Sequence, residues 1–113
     1  MPLTADTFNL IGEEELFKMK NGVRLINTAR GGIINEDALC RFLNSGHVAA
    51  AAIDTFFEEP YSGPLTGFSN VINTAHIGAM TRASRADMEI SATEEVLRFI
   101  RGEHLLSEIP AYI

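Results

Sequence analysis

Five polar side chains in this 113-residue chain follow short apolar runs and carry the chemistry worth weighing. After "VRLINTA" comes Arg30, with Thr28 and Ala29 leading into it and Gly31 and Gly32 behind. After "VAAAAI" come Asp54 and then the pair Glu58 and Glu59. After "NVINTA" comes His76. A guanidinium is a planar fork that matches a carboxylate bidentately. A histidine beside a glutamate is held in one orientation with its charged form stabilised. Such a histidine can give a proton to a carbonyl oxygen and take it back. An aspartate beyond a strand end can accept from an amide or a ribose hydroxyl. Carboxylate anchor plus proton donor is what reduction of a 2-oxo acid requires, with the hydride coming from a cofactor, since no side chain supplies one. Each residue alone also has an ordinary role: Arg30 a loop cap, Asp54 a turn former, the Glu pair a solvated patch, His76 a core or loop histidine. Their convergence gives the chemical reading its weight.

The elements that would bring them together alternate. "GEEELFKMK" (residues 12–20) starts acidic and ends basic, as a helix dipole prefers, with Leu16, Phe17 and Met19 on its apolar side and Gly22 as its stop. "VRLINTA" (23–29) reads as a strand. In "NEDALCRFLNSG", Asn35 is the expected N-cap and Gly46 the stop, with Ala38, Leu39, Phe42 and Leu43 on one face. "HVAAAAIDTF" (47–56) has alanines that favour helix by propensity, yet it is short, follows a helix stop and carries Val48, Ile53, Thr55 and Phe56. We read it as a parallel strand whose alanines let covering helices approach both faces. "EEPYSGPLTGFSN" reads as a loop, residues 70–75 as a third strand, and 81–101 as a long helix ended by Gly102, with Met88, Ala92, Val96 and Phe99 on one face. The tail from 104 is expected to be an extended arm.

The expected fold is therefore α/β: a partial Rossmann-type, three-layer arrangement of about three parallel strands with right-handed crossover helices. Ligands of such sheets bind beyond the carboxyl ends of the strands, which is where Arg30, Asp54, Glu59 and His76 fall. Fifteen acidic against nine basic residues leave a net charge of −6, which argues against nucleic-acid or anionic-membrane partners. The single Cys40 rules out an internal disulfide and a cysteine-rich metal site, and no metal is expected. With no signal-peptide pattern at the start and no membrane-length apolar run, the expected location is cytoplasmic.

"NTARGGIINEDAL", "AAIDTFFEEP" and "NVINTAHIGAMT" resemble three consecutive signatures of the D-isomer-specific 2-hydroxyacid dehydrogenases, and "MPLTADTFNLI" resembles the segment before them. The likeness runs to about Glu103 in the family's order and spacing. It implies that Arg30 grips the substrate carboxylate, His76 is the acid/base and Glu59 orients and charges it, with Glu58 a solvated neighbour. It further implies an NAD cofactor, NADP remaining open, lined by Thr28, Ala29, Arg30 and His76, with Asp54 on the carboxamide or ribose and Gly78 and Ala79 approaching with backbone. The substrate would be a small 2-hydroxy acid, and "EEPYSGPLTGF" with the long helix looks most like the phosphoglycerate-dehydrogenase type, implying 3-phosphoglycerate or a related acid.

Two departures stand out. Ala75 stands where the family usually has proline before the histidine, and the glycine-rich G-x-G-x-x-G fingerprint is absent. The expectation is thus the second half of an NAD-binding Rossmann domain (1–103) with a tail (104–113), inactive alone. Its bared strand edge at 23–29 would drive homo-oligomerisation or other association. The competing readings are a non-catalytic dimerisation or corepressor-like module of the same fold, or a degraded gene copy.

Overall fold

A computed structural model describes residues 1–109, so part of the expected arm, 110–113, lies outside the described residues. The elements run α1 (Glu13–Lys18), β1 (Val23–Asn27), α2 (Glu36–Asn44), β2 (Val48–Ile53), a 3-10 turn η1 (Pro64–Gly67), β3 (Val71–Asn73) and α3 (Arg82–Arg101). The chain divides into two compact units, Met1–Gly78 and Ala79–Ile113.

In the first unit the three strands are parallel in the order β1-β2-β3, with Ile26, Ala52 and Ile72 in register. Parallel neighbours need a crossover, and α2 supplies it between β1 and β2. The Asn35 side chain accepts from the Ala38 amide and caps α2 as expected. The alanine run is a strand: pairing on both sides satisfies its backbone and overrides helix propensity. The core packs Leu16 of α1, Ala38, Leu39 and Leu43 of α2 and Leu65 of η1 against Val48, Ala51 and Ile53. These lie on one face of the sheet. The other face carries Arg24, Ile26, Ala50, Ala52 and Ile72, with Ile26 76% and Ile72 67% exposed. Met1–Gly78 thus supplies the sheet and one helical layer.

Three expectations change. The strands end earlier than 29, 56 and 75, because buried side chains take over backbone groups at the strand ends, as described below. The 58–70 loop contains η1, where Pro64 opens the turn and the buried Leu65 anchors it in the core. The arm is not extended where it is described: the Leu106 and Ser107 amides donate to the Glu95 carboxylate at 2.9 and 3.1 Å. In this second unit the Thr81 side chain caps α3, and Gly102, left-handed at φ 68°, ends it.

Candidate functional site

The site grows from the polar residues at the carboxyl ends of the strands. Asn27, the last residue of β1, is 7% exposed. Its Oδ1 accepts from the Ala29 amide at 3.1 Å and its Nδ2 donates to the Arg30 carbonyl at 3.0 Å. This clamp turns the chain out of the sheet and sets Arg30 at its edge. Arg30 is exposed, and its Nη1 donates to the Ala29 carbonyl at 2.7 Å. Among the described residues no carboxylate pairs with it, so most of the guanidinium fork stays open to an anion. Gly32 makes the turn in the left-handed region (φ 79°). Gly31 answers a different need: a Cβ there would fall 1.9 Å from the Phe56 carbonyl, so the Arg30 loop lies directly against the loop carrying Glu59.

Glu59 is fixed at both oxygens. Oε1 accepts from the Phe56 amide at 3.0 Å, and Oε2 lies 3.1 Å from His76 Nδ1. The Phe56 amide first, then His76, hold its carboxyl below the usual range. An ionised Glu59 can only accept, so Nδ1 is the protonated nitrogen and Nε2 is left free of Glu59. Glu58 is exposed and lines neither recess described below.

Asp54, just past β2, is 6% exposed. Its Oδ1 accepts from the Thr74 hydroxyl at 2.6 Å and the Ile77 amide at 2.9 Å, and its Oδ2 from the Gly78 amide at 2.9 Å. The Thr74 hydroxyl above all, with these amides, pulls its carboxyl below the usual range. Between them His76 sits at φ 54°, a left-handed conformation uncommon for a residue with a side chain.

Arg30, Glu59 and His76 line one recess of about 270 Å³, walled by Leu3, Gly31, Thr55, Phe56 and Phe57. A second hollow of about 370 Å³ lies along Glu59 and His76, with Tyr61, Thr66, Asn73, Thr74 and Ala75. The structure therefore brings three of the expected residues into one recess and places Asp54 behind His76. Thr28 is exposed at the start of the Arg30 loop. Ala79 opens the second unit, one residue past Gly78. Sequence reasoning missed Asn27 and Thr74, which hold the loops, and Leu3 and Phe57, which wall the recess. A polar residue closing an apolar strand was the available signal for Asn27.

The family model for the D-isomer specific 2-hydroxyacid dehydrogenase NAD binding domain matches residues 1–78. The chain belongs to this family. It is 46% identical over 109 residues to the D-3-phosphoglycerate dehydrogenase of Bacillus subtilis, covering 96% of this chain and 21% of that protein. It is 44% identical over 105 residues to the glyoxylate reductase of Aeropyrum pernix, covering 91% of this chain and 31% of that one. The crystal structure of a glyoxylate reductase from Paecilomyes thermophila superposes with a TM-score of 0.91 at 41% identity, over 97% of this chain and 34% of that chain. A Xanthobacter autotrophicus family member, solved in complex with NADPH and MES, gives a TM-score of 0.82 at 34% identity, over 97% of this chain and 46% of that one. The chain thus spans about a fifth to a third of the length of the curated relatives it matches. The Rossmann-type reading of the parallel sheet stands, and the family to which the chain belongs is one of NAD-dependent oxidoreductases. Among the described residues no helix is long and apolar enough to cross a membrane.

Proposed function

We propose that this chain carries the substrate-side half of a hydride-transfer site acting on a small 2-hydroxy acid or its 2-oxo partner. The observation that supports it most is the shared recess of an unpaired Arg30 and a His76 oriented by Glu59. Arg30 takes the substrate carboxylate. His76 gives a proton from Nε2 to the carbonyl oxygen during reduction and recovers it during oxidation. Glu59 fixes the ring through Nδ1. A bound nicotinamide would supply the hydride. The strand ends fit it: Thr28, Ala29 and Gly78 place only small side chains or bare backbone at the sheet's carboxyl edge, and Asp54 keeps acceptor capacity for a carboxamide. NAD is the expected form and NADP is open. The phosphoglycerate-dehydrogenase likeness favours 3-phosphoglycerate or a related acid.

We assign residues 1–103 to the second half of the Rossmann domain and 104–113 to a tail. The open β1 edge and the exposed Ile26 and Ile72 favour homo-oligomerisation, and we keep the cytoplasm as the proposed site of action. The relatives named above are all dehydrogenases or reductases, which weighs against the non-catalytic alternative.

The test is NMR titration of the chain with oxamate, a 2-oxo acid analogue, at millimolar concentration. Shifts should centre on Arg30 and the His76 ring and vanish in Arg30→Ala. Shifts that survive Arg30→Ala would overturn the assignment. With NADH and glyoxylate or hydroxypyruvate the chain alone should show no turnover, because none of its glycines forms the pyrophosphate loop. Turnover abolished by His76→Ala would keep the site and refute the half-site.

A further inference from the structure

We propose that Asp54 is a positioning residue for His76, pinning the backbone on both sides of the histidine so that its ring meets Glu59. The inference rests on the reading of His76 as proton donor. Asp54 is itself tied into the sheet. Its amide donates to the Asn27 carbonyl at 2.9 Å, and the Thr74 amide donates to the Ile53 carbonyl at 3.0 Å. From that base one carboxylate gathers three donors, the Thr74 hydroxyl before the histidine and the Ile77 and Gly78 amides after it. A carboxylate offers about four acceptor positions, so this loop uses most of them.

The loop needs such a hold. His76 lies in the left-handed region, and a non-glycine residue stays there only where its surroundings over-determine it. The family's usual proline before the histidine, which would stiffen the entry, is Ala75 here. The fit is close: a Cβ on Gly78 would stand 3.0 Å from Asp54 Oδ2. Asparagine cannot replace the aspartate. It has one oxygen, and its amino group would face an N–H. Asp54 and Glu59 therefore act on different parts of the histidine, the first setting its backbone and the second its ring.

The test is NMR on the chain itself, reading the His76 ring tautomer by its nitrogen shifts and the hydrogen exchange of the Ile77 and Gly78 amides. The native protein should show one Nδ1–H tautomer and protected amides. In Asp54→Asn, exchange at both amides should quicken on the order of tenfold to a hundredfold, with a mixed tautomer. Glu59→Gln should disturb the tautomer and leave the amides protected. If Asp54→Asn does not fold, Gly78→Ala decides: its methyl group pushes the carboxylate back by a few tenths of an ångström, which should lengthen its bond to the Gly78 amide, quicken exchange there and begin to mix the tautomer. A folded Asp54→Asn, or failing that Gly78→Ala, that keeps one tautomer and full protection overturns the proposal. The oxamate titration separates the two readings. A loosened loop in a protein whose recess ignores oxamate keeps the strut and removes the enzyme reading, and the converse result does the opposite.

Discussion

Replacing Gly31 by alanine tests whether the Arg30 and Glu59 loops are set against each other by backbone contact. A Cβ there would lie 1.9 Å from the carbonyl carbon and oxygen of Phe56 and 2.4 Å from the Phe57 amide nitrogen. Gly31 has no left-handed φ, so the glycine is demanded by proximity alone. Both neighbours are main chain, and no rotamer change relieves the clash. Real Cβ contacts stay above 3.0 Å, so the loop has to retreat by about 1 Å. Glu59 stands three residues further along that loop, with Oε1 on the Phe56 amide and Oε2 3.1 Å from His76. A retreat of about 1 Å carries the second contact past hydrogen-bond reach. Overpacking ordinarily costs about 1–3 kcal/mol, and a backbone-to-backbone collision belongs at or above the top of that range. Urea denaturation measures it against two controls. Gly67 has nothing within 4 Å and no left-handed φ, so Gly67→Ala should stay within about 0.5 kcal/mol of the native protein. Gly46 has open space but φ 77°, so Gly46→Ala should cost about 1–2 kcal/mol. Gly31→Ala should exceed both by a clear margin and lose the single His76 tautomer. A variant no less stable than Gly46→Ala, with that tautomer intact, would refute the reasoning.

Leu39 is fully buried between α2 and the sheet, so Leu39→Ala should lose about 2–5 kcal/mol in urea, and a loss under about 1 kcal/mol would place the core elsewhere. Asp54 and Glu59 both titrate below their unfolded values, so the stability they contribute is full above about pH 5 and is lost as pH falls through their folded values. Melting temperature followed from pH 6 downward should show this acid limb, shallower in Asp54→Asn; an unchanged limb counts against the carboxylate's role. Ile26→Lys with Ile72→Lys should lower the mass seen by light scattering, because both charge the bare sheet face beside the open β1 edge. Equal masses would show that association uses another surface.

Most of the α/β order was legible because hydrophobic period and stop signals agreed. Asn35 and Gly102 act as the cap and stop their residue types suggest. The alanine run was legible only through its neighbours, since propensity alone pointed the other way. The strand ends were not legible. Residues 28–29, 55–56 and 74–75 continue the apolar or β-favouring pattern, yet Asn27 diverts the backbone by local bonds to residues 29 and 30, and Asp54 by tertiary bonds some twenty residues away that no local pattern encodes. The meeting of Arg30, Glu59 and His76 could be placed at one sheet edge from topology. The left-handed His76 could not, because it depends on an acceptor some twenty residues earlier in the chain.

At or just past the end of each strand stands a polar residue whose side chain holds something beyond the sheet. Asn27 clamps residues 29 and 30, Asp54 holds 74, 77 and 78, and the Asn73 amide donates to the Leu65 carbonyl of η1 at 3.1 Å. Directional bonds to the sheet thus fasten the Arg30 and His76 loops, while Phe56 also ties the Glu59 loop into the apolar core. Geometry and stability should therefore separate. Asn27→Ala frees the Ala29 amide and the Arg30 carbonyl at the protein's edge, where water can replace the lost partners at a net cost near 1 kcal/mol. The core of Leu16, Leu39, Val48 and Leu65 is untouched. The variant should melt cooperatively, close to the native protein, while oxamate binding at Arg30 weakens. A variant that loses stability and binding in step would show that the loops and the core form one cooperative unit.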